Sequence, residues 1–302
     1  IDSVDYAHVG SIDGRYDVIV CQTPVLPNRL PTRSRIVAQQ YSLAKEAYQL
    51  GAWRALVDLN LMYGADSLGK VAGFCNAVAA GNCSLEALFA DGPPAPPDEL
   101  ERGLYLPTYG GLSSLGATLG RLATIGHEVI VKLHHLDQAR ALTEVPANVT
   151  VIGPDVPPSQ ALRACDFVIS DYSGAAYDAV LARRPLVLVD AGDVDPESAA
   201  RLGPDEFDRP ALRGLSASWP VGAPFAEALA RARAVAPDDA THAEFVARFA
   251  AGTASAGQRS FEHIERLLAD PPAEAFGRDR VNSALRELTA HNRELADENR
   301  LL

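Results

Sequence analysis

The densest hydrophobic pattern in this 302-residue chain runs from Cys165 to Asp190, CDFVISDYSGAAYDAVLARRPLVLVD. Phe167-Val168-Ile169 and the run from Leu186 to Val189 are apolar without interruption. Strands with one wet face alternate, so these runs predict strands of a parallel sheet covered on both faces. Between them lie a polar turn (Ser170, Asp171, Tyr172, Ser173, Gly174) and a helical segment that Pro185 closes, with Ser173 as its N-cap. A turn rich in hydroxyls at a helix N-terminus leaves backbone N–H groups available to a phosphate. An ordinary βαβ crossover with a capping serine shows the same pattern.

That grammar repeats upstream. Residues 103–106, 128–133 and 149–152 predict strands, and 113–125, 137–142 and 159–164 predict helices. The alternation predicts a doubly wound α/β domain, in which ligands bind outside the carboxyl ends of the strands. Thr108, Lys132, His134 and the turn with Ser170, Asp171, Ser173 and Gly174 all fall at such ends. Separate segments thus point at one crevice.

Before this domain, 16–21 (YDVIVC) predicts a buried strand, and 34–61 reads as helical. Gly51 would divide two helices there, the second carrying Trp53, Leu56, Val57 and Leu61 on its apolar face. Asp58 and Asn60 interrupt that segment either as crevice groups or as its wet face. Residues 66–80 read as a short helix followed by a strand. GPPAPP at 92–97 puts four prolines in six residues and marks a linker. The division is therefore an N-terminal domain over 1–95, a second over 96–270, and a helix over 278–302. Residues 198–224 read as irregular, and 225–236, 241–249 and 255–268 as helices, the last with Phe261, Ile264, Leu267 and Leu268 on one face. In the tail, Val281, Leu285, Leu288, Asn292, Leu295, Asn299 and Leu302 repeat at heptad spacing. This predicts either a short coiled coil and a homodimer or a helix packed on its own protein.

Composition narrows the function classes. Hydrophobic residues make up 47% and charged ones 22%, as in globular proteins. A net charge of −12 argues against nucleic-acid binding and against a polybasic membrane surface. Lys45, Lys70 and Lys132 are the lysines among 27 basic residues. Arg33, Arg35 and Lys45 could hold an anionic group or serve as solvated charge. Cys21, Cys75, Cys83 and Cys165 form no CxxC pair, and the sequence predicts no metal site and no transmembrane segment.

The chain contains no GxGxxG, no GxxxxGK[ST] and no GxSxG, which weakens dinucleotide, P-loop and hydrolase readings. Lys132 and His134 share one strand face, a cation and an imidazole suited to a diphosphate. His135 would point away. Asp171 could act as a base, as a hydroxyl acceptor or as a cap. A nucleotide-diphosphate donor of a transferable group fits these residues better than hydride transfer or ATP hydrolysis.

At GLYLPTYGGLSS (103–114), VIVKLHH (129–135) and the DYSG segment (165–190), the chain resembles the CDP-glycerol glycerophosphotransferase family of teichoic acid and capsule assembly. Residues 33–64 and 74–82 look like one branch of it. The resemblance implies a GT-B-like fold, two Rossmann-like domains facing across a cleft, here with a short N-terminal domain and a C-terminal helical tail. His134 and Asp171, by residue type and strand-end position, are read as the catalytic groups. Thr108, Lys132, His134, Ser170, Asp171, Ser173 and Gly174 would hold the cytidine diphosphate of the donor. The activity implied is transfer of a polyol phosphate to a hydroxyl of a lipid-linked or polymeric acceptor, without a redox cofactor, at the cytoplasmic face of the membrane. In place of the family's N-terminal histidine-glycine pair, this chain reads AQQYSLAKE, and His8 is its sole histidine before residue 127. A GT-B glycosyltransferase or epimerase-like enzyme using a nucleotide sugar, and an inactive scaffold paired through its tail, are the alternatives.

Overall fold

The computed structural model describes residues 9–24, 31, 33–137, 142, 144–189, 196–200, 202 and 209–270. The heptad tail and most of the 137–142 segment lie outside them. Two parallel sheets organise the described chain. The first has the order β1 (Val18–Cys21), β2 (Arg35–Gln39), β3 (Leu59–Met62) and β4 (Ala77–Ala79). The second contains β5 (Arg102–Leu106), β6 (Glu128–Lys132), β7 (Val149–Ile152), β8 (Phe167–Ser170), β9 (Leu186–Leu188) and β10 (Ser216–Ser218), in the order β10-β9-β8-β5-β6-β7.

The central strands of the second sheet are buried on both sides, as their uniform apolar runs require. Leu104, Leu106, Val168, Leu186 and Leu188 face one core, with helices Pro158–Arg163 and Ala175–Leu181. Tyr105, Val129, Val131, Phe167, Ile169 and Val187 face the other, with helix Phe225–Ala234. Gly103 is glycine because Phe167 lies across its Cα, where an added Cβ would come within 2.5 Å of the ring.

Two stretches differ from the sequence reading. Residues 34–61 are not two helices: Ile36-Val37-Ala38 is the buried β2, and Leu59 to Met62 is the fully buried β3. Only the short pieces Glu46–Gln49 and Ala52–Leu56 coil, on either side of Gly51. The Ala, Gln and Glu content suggested helix, but a short β-branched run flanked by polar residues buries both faces better in a sheet. Within 198–224, read as irregular, Ser216–Ser218 forms the edge strand β10. Within 113–125 the chain forms only the α-turn Leu115–Thr118 and a 3-10 segment, Leu119–Thr124.

The last described helix, Ala256–Ala269, crosses back to the first sheet. Its Leu267 and Ile264 pack with Val37, Leu59, Leu61 and Ala80. Phe261 is 60% exposed, so the stripe drawn from sequence turns partly to solvent. Gly81 and Gly64 allow this docking, since a Cβ on either would meet backbone of residues 248–253 within 2.9 Å.

Candidate functional site

The carboxyl ends of β5 and β8 lie side by side, with Leu106 in register with Ser170. The chain leaves both strands into polar loops, and Asp171 ties the loops together. Its Oδ1 accepts the Thr108 N–H at 2.9 Å, and its Oδ2 accepts the Ser114 N–H at 2.8 Å and the Ser114 hydroxyl at 2.9 Å. Ser114 Oγ also pairs with the Tyr105 hydroxyl at 2.8 Å. Asp171 is fully buried. Burial pushes its carboxyl up to about 6, against the opposing pull of the Ser114 and Thr108 donors and of Lys45. Ser170, equally buried, donates to the Leu106 carbonyl at 2.8 Å and fastens the two strand ends.

Across the crevice, the loop after β2 brings Lys45 to this knot. Its Nζ donates to Thr108 Oγ1 at 2.7 Å and stands 4.7 Å from the centroid of the Tyr109 ring. Lys45 adopts left-handed backbone angles (φ 63, ψ 54) and is buried. For a residue with a Cβ that conformation costs about 1–2 kcal/mol, a strain the surrounding contacts must offset. Gln40 holds the loop's start. It accepts the Tyr63 N–H at 2.9 Å and donates to the Ser42 carbonyl (2.8 Å) and Ser67 Oγ (3.0 Å).

His134 lies against the same group, its ring 4.3 Å from Tyr109 and 4.1 Å from His135. Burial first, then the neighbouring His135 and Lys45, push its imidazole down to about 4. It is neutral at pH 7. Nδ1 accepts the Leu136 N–H at 3.3 Å, which leaves Nε2 as the protonated nitrogen and a hydrogen-bond donor. Lys132 donates to the Gly153 carbonyl at 3.2 Å, at the end of β7.

Ser173 Oγ accepts the Ala175 N–H at 3.3 Å, and the helix Ala175–Leu181 follows Gly174. Gly174 faces the first domain so closely that an added Cβ would collide with Ser42 Oγ. Gly174→Ala is therefore expected to destabilise the protein, with Ser42→Gly in the same chain restoring most of the loss. Thermal denaturation of the single and double variants reads this coupling.

The titrations of Asp171 and His134 oppose each other. The folded state holds the Asp171 proton more tightly than the unfolded chain. That contributes stability below 3.8, lost as pH rises through about 6. His134 is depressed from 6.5 to about 4, so its contribution is present above 6.5 and lost as pH falls through about 4. Removing the carboxyl exposes the histidine slope. Asp171→Asn is expected to lose more stability than wild type on going from pH 6.5 to 4, measured by chemical denaturation.

The structure thus brings together Thr108, His134, Ser170, Asp171, Ser173 and Gly174, with Lys132 bonded toward β7. Asp171, read from sequence as catalytic, has both oxygens taken by backbone and hydroxyl donors, and its geometry is that of a positioning residue. Arg33 and Arg35 are not in the crevice: Arg33 bonds Asp13, and Arg35 bonds Asp58 at 3.1 Å. Asp58 also accepts the Ile36 N–H at 2.8 Å and caps the far end of the first sheet. Asn60 is bonded to buried Arg54. Lys45, read with Arg33 and Arg35 as a possible holder of an anionic group, reaches the crevice where the two arginines do not; Tyr109 and Ser114 also stand there and were not read as such. Among the described residues no group of His, Cys, Asp and Glu is placed to hold a metal ion.

No family model matches this chain, and no curated protein matches it in sequence. Solved structures are similar to it. A CDPG-soaked variant of the wall teichoic acid polymerase TagF superposes with a TM-score of 0.54 at 15% identity, over 82% of this chain and 72% of that one. A putative UDP-N-acetylglucosamine 2-epimerase from Listeria monocytogenes superposes with a TM-score of 0.50 at 11% identity, over 89% and 80%. The fold is therefore GT-B: two parallel-sheet α/β units with their strand ends at a shared crevice. At these identities the likeness concerns the fold.

Proposed function

We propose that the chain is a GT-B transferase that binds a nucleoside-diphosphate-activated donor at the Thr108–His134–Ser173 crevice. Its favoured donor is a CDP-linked polyol, and its acceptor is a hydroxyl of a cell-wall or capsular polymer. The observation that carries the reading is the Lys45–Thr108–Asp171 arrangement. A buried carboxylate fixes two loops, and a lysine held in left-handed backbone geometry is delivered from the opposite domain to the place where they meet. Strained, over-determined residues of this kind mark functional sites.

In this reading Lys45 neutralises the diphosphate. Neutral His134 donates Nε2–H to a phosphate oxygen of the donor. The acceptor oxygen attacks the phosphorus that bears the polyol, and the phosphorus–oxygen bond to the cytidine phosphate breaks. CMP leaves with the bridging oxygen, and the acceptor proton passes to solvent. Phosphoryl transfer through a loose transition state depends mainly on positioning and charge stabilisation. CMP release from CDP-glycerol in the presence of a hydroxylated acceptor tests the reading. Release in wild type and a large loss in His134→Ala are expected; a UDP-sugar consumed in preference to every CDP-alcohol favours the nucleotide-sugar alternative instead.

A further inference from the structure

Three rings stand in a row at the crevice. Tyr109, in the loop after β5, lies 4.3 Å from His134 between ring centroids, with an interplanar angle of 31°. His134 in turn lies 4.1 Å from His135, at 33°. β6 ends at Lys132, and the chain soon enters the 3-10 turn His135–Asp137. The alternation of a strand therefore stops before the two histidines, and His135 stacks on His134 instead of pointing away from it.

At these separations an imidazole has room for one ring on each face, so Tyr109 and His135 cover opposite faces of His134. Only the edge of His134 is left to meet a ligand, and Nε2–H lies on that edge. Tyr109, at the inner end of the row, has the Lys45 ammonium 4.7 Å from its centroid. His135, at the outer end, is exposed, and among the described residues no further ring stands against it. Leu136, 59% exposed, adds apolar surface beside it. Such a face suits a flat aromatic ring, which packs on another by offset stacking. A nucleotide carries a flat ring and a phosphate a sugar's length apart, so one molecule can lay its base on His135 while its phosphate reaches the edge of His134. The geometry points to the outer face of His135 as the stacking platform for the donor's nucleobase, an assignment that rests on the donor reading above. Stacking tolerates any base because every base has a π-face, so His135 supplies affinity and leaves the choice among bases to other groups.

Titration calorimetry of the full chain with CDP, UDP and inorganic pyrophosphate tests this on wild type, His135→Ala and His135→Phe. Loss of one stacked base weakens binding by about five- to a hundredfold. His135→Ala is expected to weaken CDP and UDP by that factor and to leave pyrophosphate as in wild type. His135→Phe, which restores a flat ring, should bind both nucleotides close to wild type. Nucleotide affinity unaltered in His135→Ala overturns the platform and leaves the donor reading in place. Equal weakening of pyrophosphate overturns it too, since His135 would then act by holding His134 rather than by touching the base, and so does failure of phenylalanine to restore binding. UDP bound more tightly than CDP, with both dependent on His135, supports the platform and refutes the cytidine preference instead. Absence of any nucleotide binding in wild type overturns both.

Discussion

Replacing Asp171 with alanine is expected to destabilise the protein by about 2–6 kcal/mol, since two buried backbone donors each lose their partner at about 1–3 kcal/mol. The orphaned groups are the N–H of Thr108 and the N–H of Ser114, which Asp171 binds at 2.9 and 2.8 Å. The Ser114 hydroxyl retains the Tyr105 hydroxyl as a partner and contributes less. Chemical denaturation at pH 7 measures the effect. The same variant should lose nucleotide binding, because the loops after β5 and β8 then no longer keep a fixed relation. Asp171→Asn separates structure from charge. Its amide oxygen can replace one carboxylate oxygen while its NH₂ must face a backbone donor, so its loss should be smaller but not zero. Wild-type stability in Asp171→Ala would show that the loops are held by other contacts.

Lys45 gives the second large effect. Lys45→Met keeps the stem and removes the ammonium that reaches Thr108 Oγ1. A charged hydrogen bond is worth about 1.5–3 kcal/mol, so affinity for a nucleoside diphosphate is expected to fall by about ten- to a hundredfold. Lys45→Gly should lose the same affinity yet be more stable than Lys45→Ala by about 1 kcal/mol, because the left-handed angles at this position favour glycine. A methionine variant that binds CDP as tightly as wild type would remove Lys45 from the donor site.

The second sheet was legible in the sequence because its strands are continuous apolar runs. The strands at 103–106, 128–133, 149–152 and 167–169 were read within one or two residues of β5, β6, β7 and β8. In the first sheet β1 and β4 were read, within 16–21 and 66–80, but β2 and β3 were not: they are short, and Arg35, Gln39 and Asn60 within them break the apolar run, so local composition outweighed burial. The helical reading of 34–61 likewise hid how Lys45, already a candidate for holding an anion, reaches the crevice, which depends on the loop between β2 and the next helical turn. The places of Thr108 and the DYSG turn just beyond β5 and β8 were legible because strand ends are predictable. That Asp171 binds inward was not predictable, since the residue types alone do not say that two loops converge on one carboxylate. Ser114 was invisible for the same reason: its partner is 57 residues away.

The central claim is that the crevice closed by Lys45 binds a cytidine nucleotide. Titration of CDP, CMP, UDP and GDP into wild type and Lys45→Met, followed by calorimetry, tests it most directly. The account predicts that CDP binds wild type more tightly than UDP or GDP, that CMP binds more weakly than CDP, and that Lys45→Met abolishes most of the CDP–CMP difference. Absence of CDP binding, or CDP binding indifferent to Lys45, would contradict it.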